Sequence, residues 1–270
     1  MTITETDYAK INLALHVRNK RDDGYHELET LFAFVDNGDS LTAEHSDADR
    51  FDVVGEFSDV LDNPFGNLVA RALSALPREQ GLHVLLEKRL PVAAGLGGGS
   101  ADAGALFRIV DRTSGLPDDW EVAAERLGAD VPACVASEMA IGRGTGTDLS
   151  DIENDMAGMA ALLVNPRIPL PTGPVFKAWD GEDRGALPKG SAKAIAQAGR
   201  NDLRAPAIKL CPQIADVLQR LEQTDPWMCE MSGSGATCFA LYESREHRDR
   251  AAKVLSQHEP HWWQMAGLLR

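Results

Sequence analysis

The stretch Gly95-Leu96-Gly97-Gly98-Gly99-Ser100 has the composition of a phosphate cradle. Glycines let the backbone come close to an anion and adopt positive φ, and a helix starting there adds unpaired N–H donors and a positive dipole end. The flanks agree: an apolar run, Leu82 to Leu86, passes through Lys88, Arg89 and Pro91 to Val92-Ala93-Ala94 and the glycines. From Ser100 onward Ala101, Ala103, Ala105, Leu106, Ile109 and Val110 combine helix propensity with an apolar stripe, which Ser114-Gly115-Leu116-Pro117 ends. A Walker loop would close on Gly-Lys-Ser/Thr, and a dinucleotide fingerprint would put glycine where Ser100 stands, so neither fits. A connecting turn is the plain alternative, but four glycines feeding a helix start would cost backbone entropy without a ligand. Ser100 can cap that helix or present its hydroxyl to a phosphate-bound magnesium ion.

Three other groups have residue types suited to chemistry. Lys10 and Asn12 share one face of a stretch in which Ile11, Leu13, Leu15 and Val17 alternate with other residues, the period of a strand. A solvated strand face is the commoner meaning of such charges. Asp130, in Gly128-Ala129-Asp130-Val131-Pro132, stands between a helix end and a proline able to open the next helix. It can cap that helix, or accept or orient the proton of an attacking hydroxyl. Ser232-Gly233-Ser234-Gly235 precedes a strand-like Ala236 to Tyr242 and by itself reads as a hairpin turn. His258 and His261, beside Trp262 and Trp263, read as a surface tail rather than metal ligands.

These residues need a scaffold, and 270 residues suit one large domain or two modest ones. An apolar fraction of 44% and a charged fraction of 25% are those of an ordinary folded enzyme. Arg18 to Gly24 reads as a loop and Leu31 to Val35 as extended; Asn67 to Leu76 has helical spacing, and Asp118 with Glu121 matches a capping box for a helix that Gly128 closes. Further on lie a strand from Ala160 to Val164, a helix from Pro212 to Glu222 and a helix from Glu246 to Val254. A glycine- and threonine-rich passage to Ser150 places a domain boundary there, giving 1–150 and 151–270.

The formal net charge of −14 repels polyanions and disfavours nucleic acid as a partner. An anionic small molecule would depend on local N–H groups and placed cations, which act inside a Debye length of about 8 Å. Four scattered cysteines form no Cys-x-x-Cys pair, and no run approaches the roughly 20 apolar residues of a membrane span. A cytoplasmic chain without a membrane partner is expected.

Together these segments resemble the GHMP kinase superfamily over nearly the whole chain. Its three dispersed motifs look like Ala9-Lys10-Ile11-Asn12-Leu13, Pro91 through Ala105, and Met231-Ser232-Gly233-Ser234-Gly235-Ala236. The resemblance implies an α/β (α+β) fold of two domains: an N-terminal ribosomal-protein-like nucleotide domain and a C-terminal ferredoxin-like α+β domain, with the active site in a cleft between them. It implies ATP and Mg2+ as cofactors, with Pro91, Ala94 and Gly95 through Ser100 around the phosphates and Asn67 and Lys88 as further nucleotide contacts. Lys10 and Asp130 would flank the hydroxyl and the γ-phosphate, Lys10 offsetting charge and Asp130 acting as base. Arg21-Asp22-Asp23-Gly24-Tyr25-His26-Glu27-Leu28 is similar to a segment of the branch whose alcohol is carried on cytidine diphosphate, in non-mevalonate isoprenoid precursor synthesis. That branch implies phosphorylation of the 2-hydroxyl of the attached methylerythritol by a monomer or homodimer. Tyr25 would stack on cytosine, His26 would hydrogen-bond its polar edge, Phe176 of Pro171-Thr172-Gly173-Pro174-Val175-Phe176 would close the other side, and Asn12 would join the substrate contacts. Asn201-Asp202-Leu203 matches a further family segment; a helix cap is its plain reading and no chemistry is assigned to it.

Overall fold

Alternating apolar residues near the N-terminus belong to a longer strand than their spacing suggests. In the computed structural model, which describes residues 2–61 and 66–270, strand β1 runs Thr2–Lys20 and β2 runs His26–Ser46, so the expected Arg18–Gly24 loop shrinks to a turn. Both faces of β1 are covered from Ala9 to Val17, and Lys10, Asn12 and His16 are buried with their apolar neighbours. The solvated-face reading of Lys10 and Asn12 is therefore overturned.

The chain forms two compact units and passes between them several times. The first holds residues up to Lys10, Asn37–Val92 and Gly97–Ser137. Here β3 (Arg50–Val54) pairs in parallel with β4 (Gly81–Glu87), which pairs antiparallel with the end of β2 so that Leu41 lies opposite Leu86 and Ala43 opposite Val84. Period-two alternation sends Leu82, Val84 and Leu86 inward. They meet α1 (Leu68–Ala75), α2 (Gly98–Ser114), α3 (Trp120–Leu127) and α4 (Val131–Ala136) in a core that includes Leu73, Leu106, Phe107, Val110 and Ala124. Burying a side chain such as Leu106 or Phe107 completely contributes roughly 1.5–3 kcal/mol, enough to hold a helix whose first residues are poor helix formers.

Two helix starts differ from expectation. Helix α2 begins at Gly98, with Gly97 at its N-cap, so Ser100 sits inside the first turn and caps nothing. The Asp118–Glu121 capping box does not form: the Trp120 N–H donates to Pro117 O at 3.1 Å, and α3 starts at Trp120 without a side-chain cap.

The second unit holds Ile11–Asp36, Ala93–Leu96 and Glu138–Arg270. The first half of β2 pairs with β5 (Ala140–Gly144), and β5 with β6 (Asp148–Asp151), all antiparallel. A separate antiparallel sheet contains β7 (Ala160–Asn165), β8 (Met228–Met231), β9 (Cys238–Tyr242) and β10 (Trp263–Leu268) in the order β10-β7-β9-β8. This unit also carries α5 (Thr172–Lys177), α6 (Ala192–Ala198), α7 (Arg204–Leu210), α8 (Gln213–Glu222) and α9 (Arg245–His258). Leu162, Val164, Cys238, Ala240, Ile214, Leu218 and Leu255 share its core. Of the segment expected as a surface tail, His258 at the end of α9 and His261 are exposed, whereas Trp263 opens β10 and is buried opposite Asn165. Among the described residues no helix is long and apolar enough to cross a membrane.

Candidate active site

Within the first unit, Lys10, Gly97 and Asp130 come together although 120 residues separate the first from the last. Lys10 Nζ lies 3.0 Å from Asp130 Oδ2, with the lysine side chain 5% exposed and the aspartate 33%. Asp130 occupies the N-cap position of α4, but its side chain caps nothing. The carboxylate has left the job its position offers and faces the lysine. Gly97 fixes the third corner: its φ is +61°, and a Cβ there would stand 2.9 Å from Lys10 Cε and 3.7 Å from Asp130 Oδ2. Only glycine takes that left-handed turn without pressing on the lysine.

The turn leads directly into α2. The first intrahelical bond runs from Ala101 N to Gly97 O, so the N–H groups of Gly98, Gly99 and Ser100 head the helix without intrahelical partners.

Two expected nucleotide contacts do other work. Asn67 caps α1, its side-chain oxygen accepting from the Val69 N–H at 2.8 Å. Lys88 is 2% exposed and donates to Asp39 at 2.5 Å and to Asp102 at 2.7 Å. Burial pulls against the Lys88 ammonium, but the Asp102 and Asp39 carboxylates outweigh it and hold its pKa above the ordinary value. Asp39 also accepts from the Leu90 N–H at 2.7 Å, fixing the chain just before Pro91. Sequence reading missed Asp39 and Asp102; one polar residue amid the buried Ala101, Ala103, Ala105 and Leu106 was the only signal for Asp102.

In the second unit the first, central and third motifs meet. Ser232 Oγ donates to Gly95 O at 2.8 Å and accepts from the Asn12 N–H at 3.3 Å. A Cβ on Gly95, whose φ is +77°, would come within 2.2 Å of Ser232 O, so the two loops pack backbone against backbone. Asn201 Nδ2 donates to Met231 O and Gly233 O, both at 2.8 Å, which ties the Ser232–Gly235 turn in place and goes beyond a helix cap. Asn12 Nδ2 donates to Thr30 Oγ1 at 2.7 Å.

The same unit holds the aromatic group. His26 and Phe176 have ring centroids 4.9 Å apart at 36°, while Trp179, not foreseen, meets His26 edge-on at 5.7 Å and 84°. Tyr25, next to His26 in sequence, stands 64% exposed. Burial, then the charge of Lys20, holds the His26 pKa below its usual value, which favours the neutral imidazole with one donor and one acceptor.

The first-unit residues fit a nucleotide triphosphate: a left-handed glycine no Cβ can replace, a helix start with open donors, and an adjacent ammonium. Among the described residues no group of three or more His, Cys, Asp or Glu could hold a metal ion. All four cysteines are free, and burial raises the thiol pKa of Cys134 and Cys238, so neither is poised as a nucleophile.

Residues 67–138 match the family model for the GHMP kinase N-terminal domain, and residues 184–261 that for the GHMP kinase C-terminal region. A 4-diphosphocytidyl-2-C-methyl-D-erythritol kinase of Erythrobacter litoralis is 74% identical over 99% of this chain and 100% of its own length. The Novosphingobium aromaticivorans kinase of the same name is 64% identical over 100% of this chain and 94% of its own. A crystal structure of 4-(cytidine 5'-diphospho)-2C-methyl-D-erythritol kinase superposes with a TM-score of 0.82 at 34% identity, covering 99% of each chain. A Cytophaga hutchinsonii homoserine kinase, at TM-score 0.67 and 18% identity over 97% and 95% of the chains, shares the fold. With such identity along its whole length, and with the three motifs meeting in space as they do, the chain belongs to the 4-diphosphocytidyl-2-C-methyl-D-erythritol kinase family of the GHMP kinases.

Proposed function

We propose that the chain transfers the γ-phosphoryl group of ATP to the 2-hydroxyl of 4-diphosphocytidyl-2-C-methyl-D-erythritol. The observation that carries this reading is the Lys10–Asp130 ion pair beside left-handed Gly97 at the head of α2. The N–H groups of Gly98, Gly99 and Ser100 bind phosphate oxygens, aided by the positive end of α2. Asp130 accepts a hydrogen bond from the substrate hydroxyl, orients it, and takes its proton as the oxygen bonds to phosphorus and ADP leaves. Lys10, nearly enclosed and 3.0 Å from Asp130 Oδ2, offsets the charge on the phosphoryl oxygens. The Ser100 hydroxyl is the protein group that would meet magnesium, which would supply charge neutralisation at the phosphates.

His26, neutral, reads the polar edge of cytosine while Phe176 and Tyr25 supply aromatic faces, and Asn12 joins the substrate contacts. In this reading residues 1–150 handle ATP and 151–270 form a substrate domain, to which Tyr25 and His26 add contacts. A cytoplasmic monomer or homodimer that binds no nucleic acid is consistent with the charge of −14.

Asp130→Asn tests the mechanism. It keeps the shape of the side chain and removes its basicity, so kcat should fall by about 10²–10⁴-fold while ATP affinity stays near that of the wild type. Unchanged kcat would remove Asp130 from the reaction.

A further inference from the structure

Beneath the start of α2 lies a buried cluster with more negative charge than its one cation can balance. Lys88 is held by Asp39 from β2 and Asp102 from α2, and a third carboxylate, Asp7 from β1, is fully buried within interaction range of Asp102, Asp39 and Lys88. Neither oxygen of Asp7 has a hydrogen-bond partner, nor has Asp102 Oδ1, whereas every donor named in the cluster is directed at Asp39 or at Asp102 Oδ2. Three ionised carboxylates around one ammonium would leave uncompensated charge in the interior, which costs several kcal/mol per ion. A single proton shared between the two acids would pair two of the three orphaned oxygens and leave the third as the carbonyl oxygen of a neutral acid.

We propose that Asp7 is held as a neutral carboxylic acid whose O–H donates to Asp102 Oδ1, making Asp7 a positioning residue for the phosphate-binding start of α2. Between the two acids the proton falls to Asp7 because Asp102 faces the Lys88 ammonium at 2.7 Å and gains more from staying ionised. Burial, then the charges of Asp102 and Asp39, raises the Asp7 pKa in the same direction, against the smaller pull of Lys88. The resulting chain of bonds runs Asp7 to Asp102 to Lys88 to Asp39, and from Asp39 to the Arg89 and Leu90 N–H groups. Lys88 Nζ lies 3.1 Å from where a Cβ of Gly98 would stand. The cluster thus holds both the segment entering the glycine run and the first turn of α2, with Asp7 supplying the donor for Asp102 Oδ1.

The test uses the full-length protein and two variants. Infrared difference spectra of wild type against Asp7→Asn near neutral pH should show a protonated carboxyl C=O band present only in the wild type. Asp7→Asn, with a neutral donor of the same shape, should keep the KM for ATP within about twofold; Asp7→Ala, leaving Asp102 Oδ1 unpaired, should raise it about 5- to 30-fold with the KM for the cytidylyl substrate unchanged. An Ala variant too unstable to assay beside a wild-type-like Asn variant also supports the proposal. Absence of the carboxyl band, or an Asn variant as damaged as Ala, overturns it. The kinetic arm rests on the kinase reading and the infrared arm does not, so failure of one is separable from failure of the other.

Discussion

Gly97→Ala separates two effects that the site geometry makes inseparable in the wild type. An L-residue at φ +61° costs about 1–2 kcal/mol of backbone strain. The added methyl would also stand 2.9 Å from Lys10 Cε, so that carbon must retreat about 0.5 Å to reach ordinary contact at 3.4 Å. Misplacement by about 1 Å can cost 10²-fold in rate, so half that distance corresponds to about tenfold in kcat. Gly115→Ala is the control: φ there is +76° with nothing within 4 Å of the added carbon, so it strains the backbone and leaves Lys10 alone. Urea unfolding and coupled ADP-release kinetics on both variants give the answer. Both should lose stability, and only Gly97→Ala should lose kcat. Wild-type kcat in Gly97→Ala, or equal losses in both variants, would refute the claim that Gly97 is required to seat Lys10.

Two further outcomes are expected. Because His26 has a pKa depressed below its ordinary 6.5, its neutral form persists through neutral pH, and what that form contributes is lost as pH falls through the depressed value. The KM for the cytidylyl substrate should be flat from mildly alkaline pH down to about 6.5 and rise below it; a KM already rising above neutrality would count against His26 as the reader of cytosine. Lys88→Met should destabilise the protein by about 3–5 kcal/mol, because it strands Asp39 and Asp102 in the interior. Stranded carboxylates have raised pKa values, so the variant's deficit should widen as pH rises, as followed by urea midpoints; a pH-independent deficit would contradict the ionised cluster.

How much of this was legible in the sequence depends on whether the signal was local. The glycine run, α1, β4, α8 and α9 announce themselves through period and punctuation, and the structure has them within a few residues of expectation. Helix α2 starts two residues before the sequence signal at Ser100 because burial of Ala101 and Leu106 carries Gly98 and Gly99 into the helix despite their low propensity. Asp130 looked like a cap in sequence, and only the approach of Lys10 from a distant strand explains why its side chain does not cap. Asp39, Asp102 and Asp7 lie on three different elements, and no spacing rule links them. Trp179 likewise gave no pattern until α5 brought it to His26.

The central claim is the choice of alcohol, and initial rates with ATP and magnesium on 4-diphosphocytidyl-2-C-methyl-D-erythritol, mevalonate and homoserine test it most directly. The account predicts ADP release with the cytidylyl alcohol alone; turnover of mevalonate or homoserine with none of the cytidylyl substrate would contradict it.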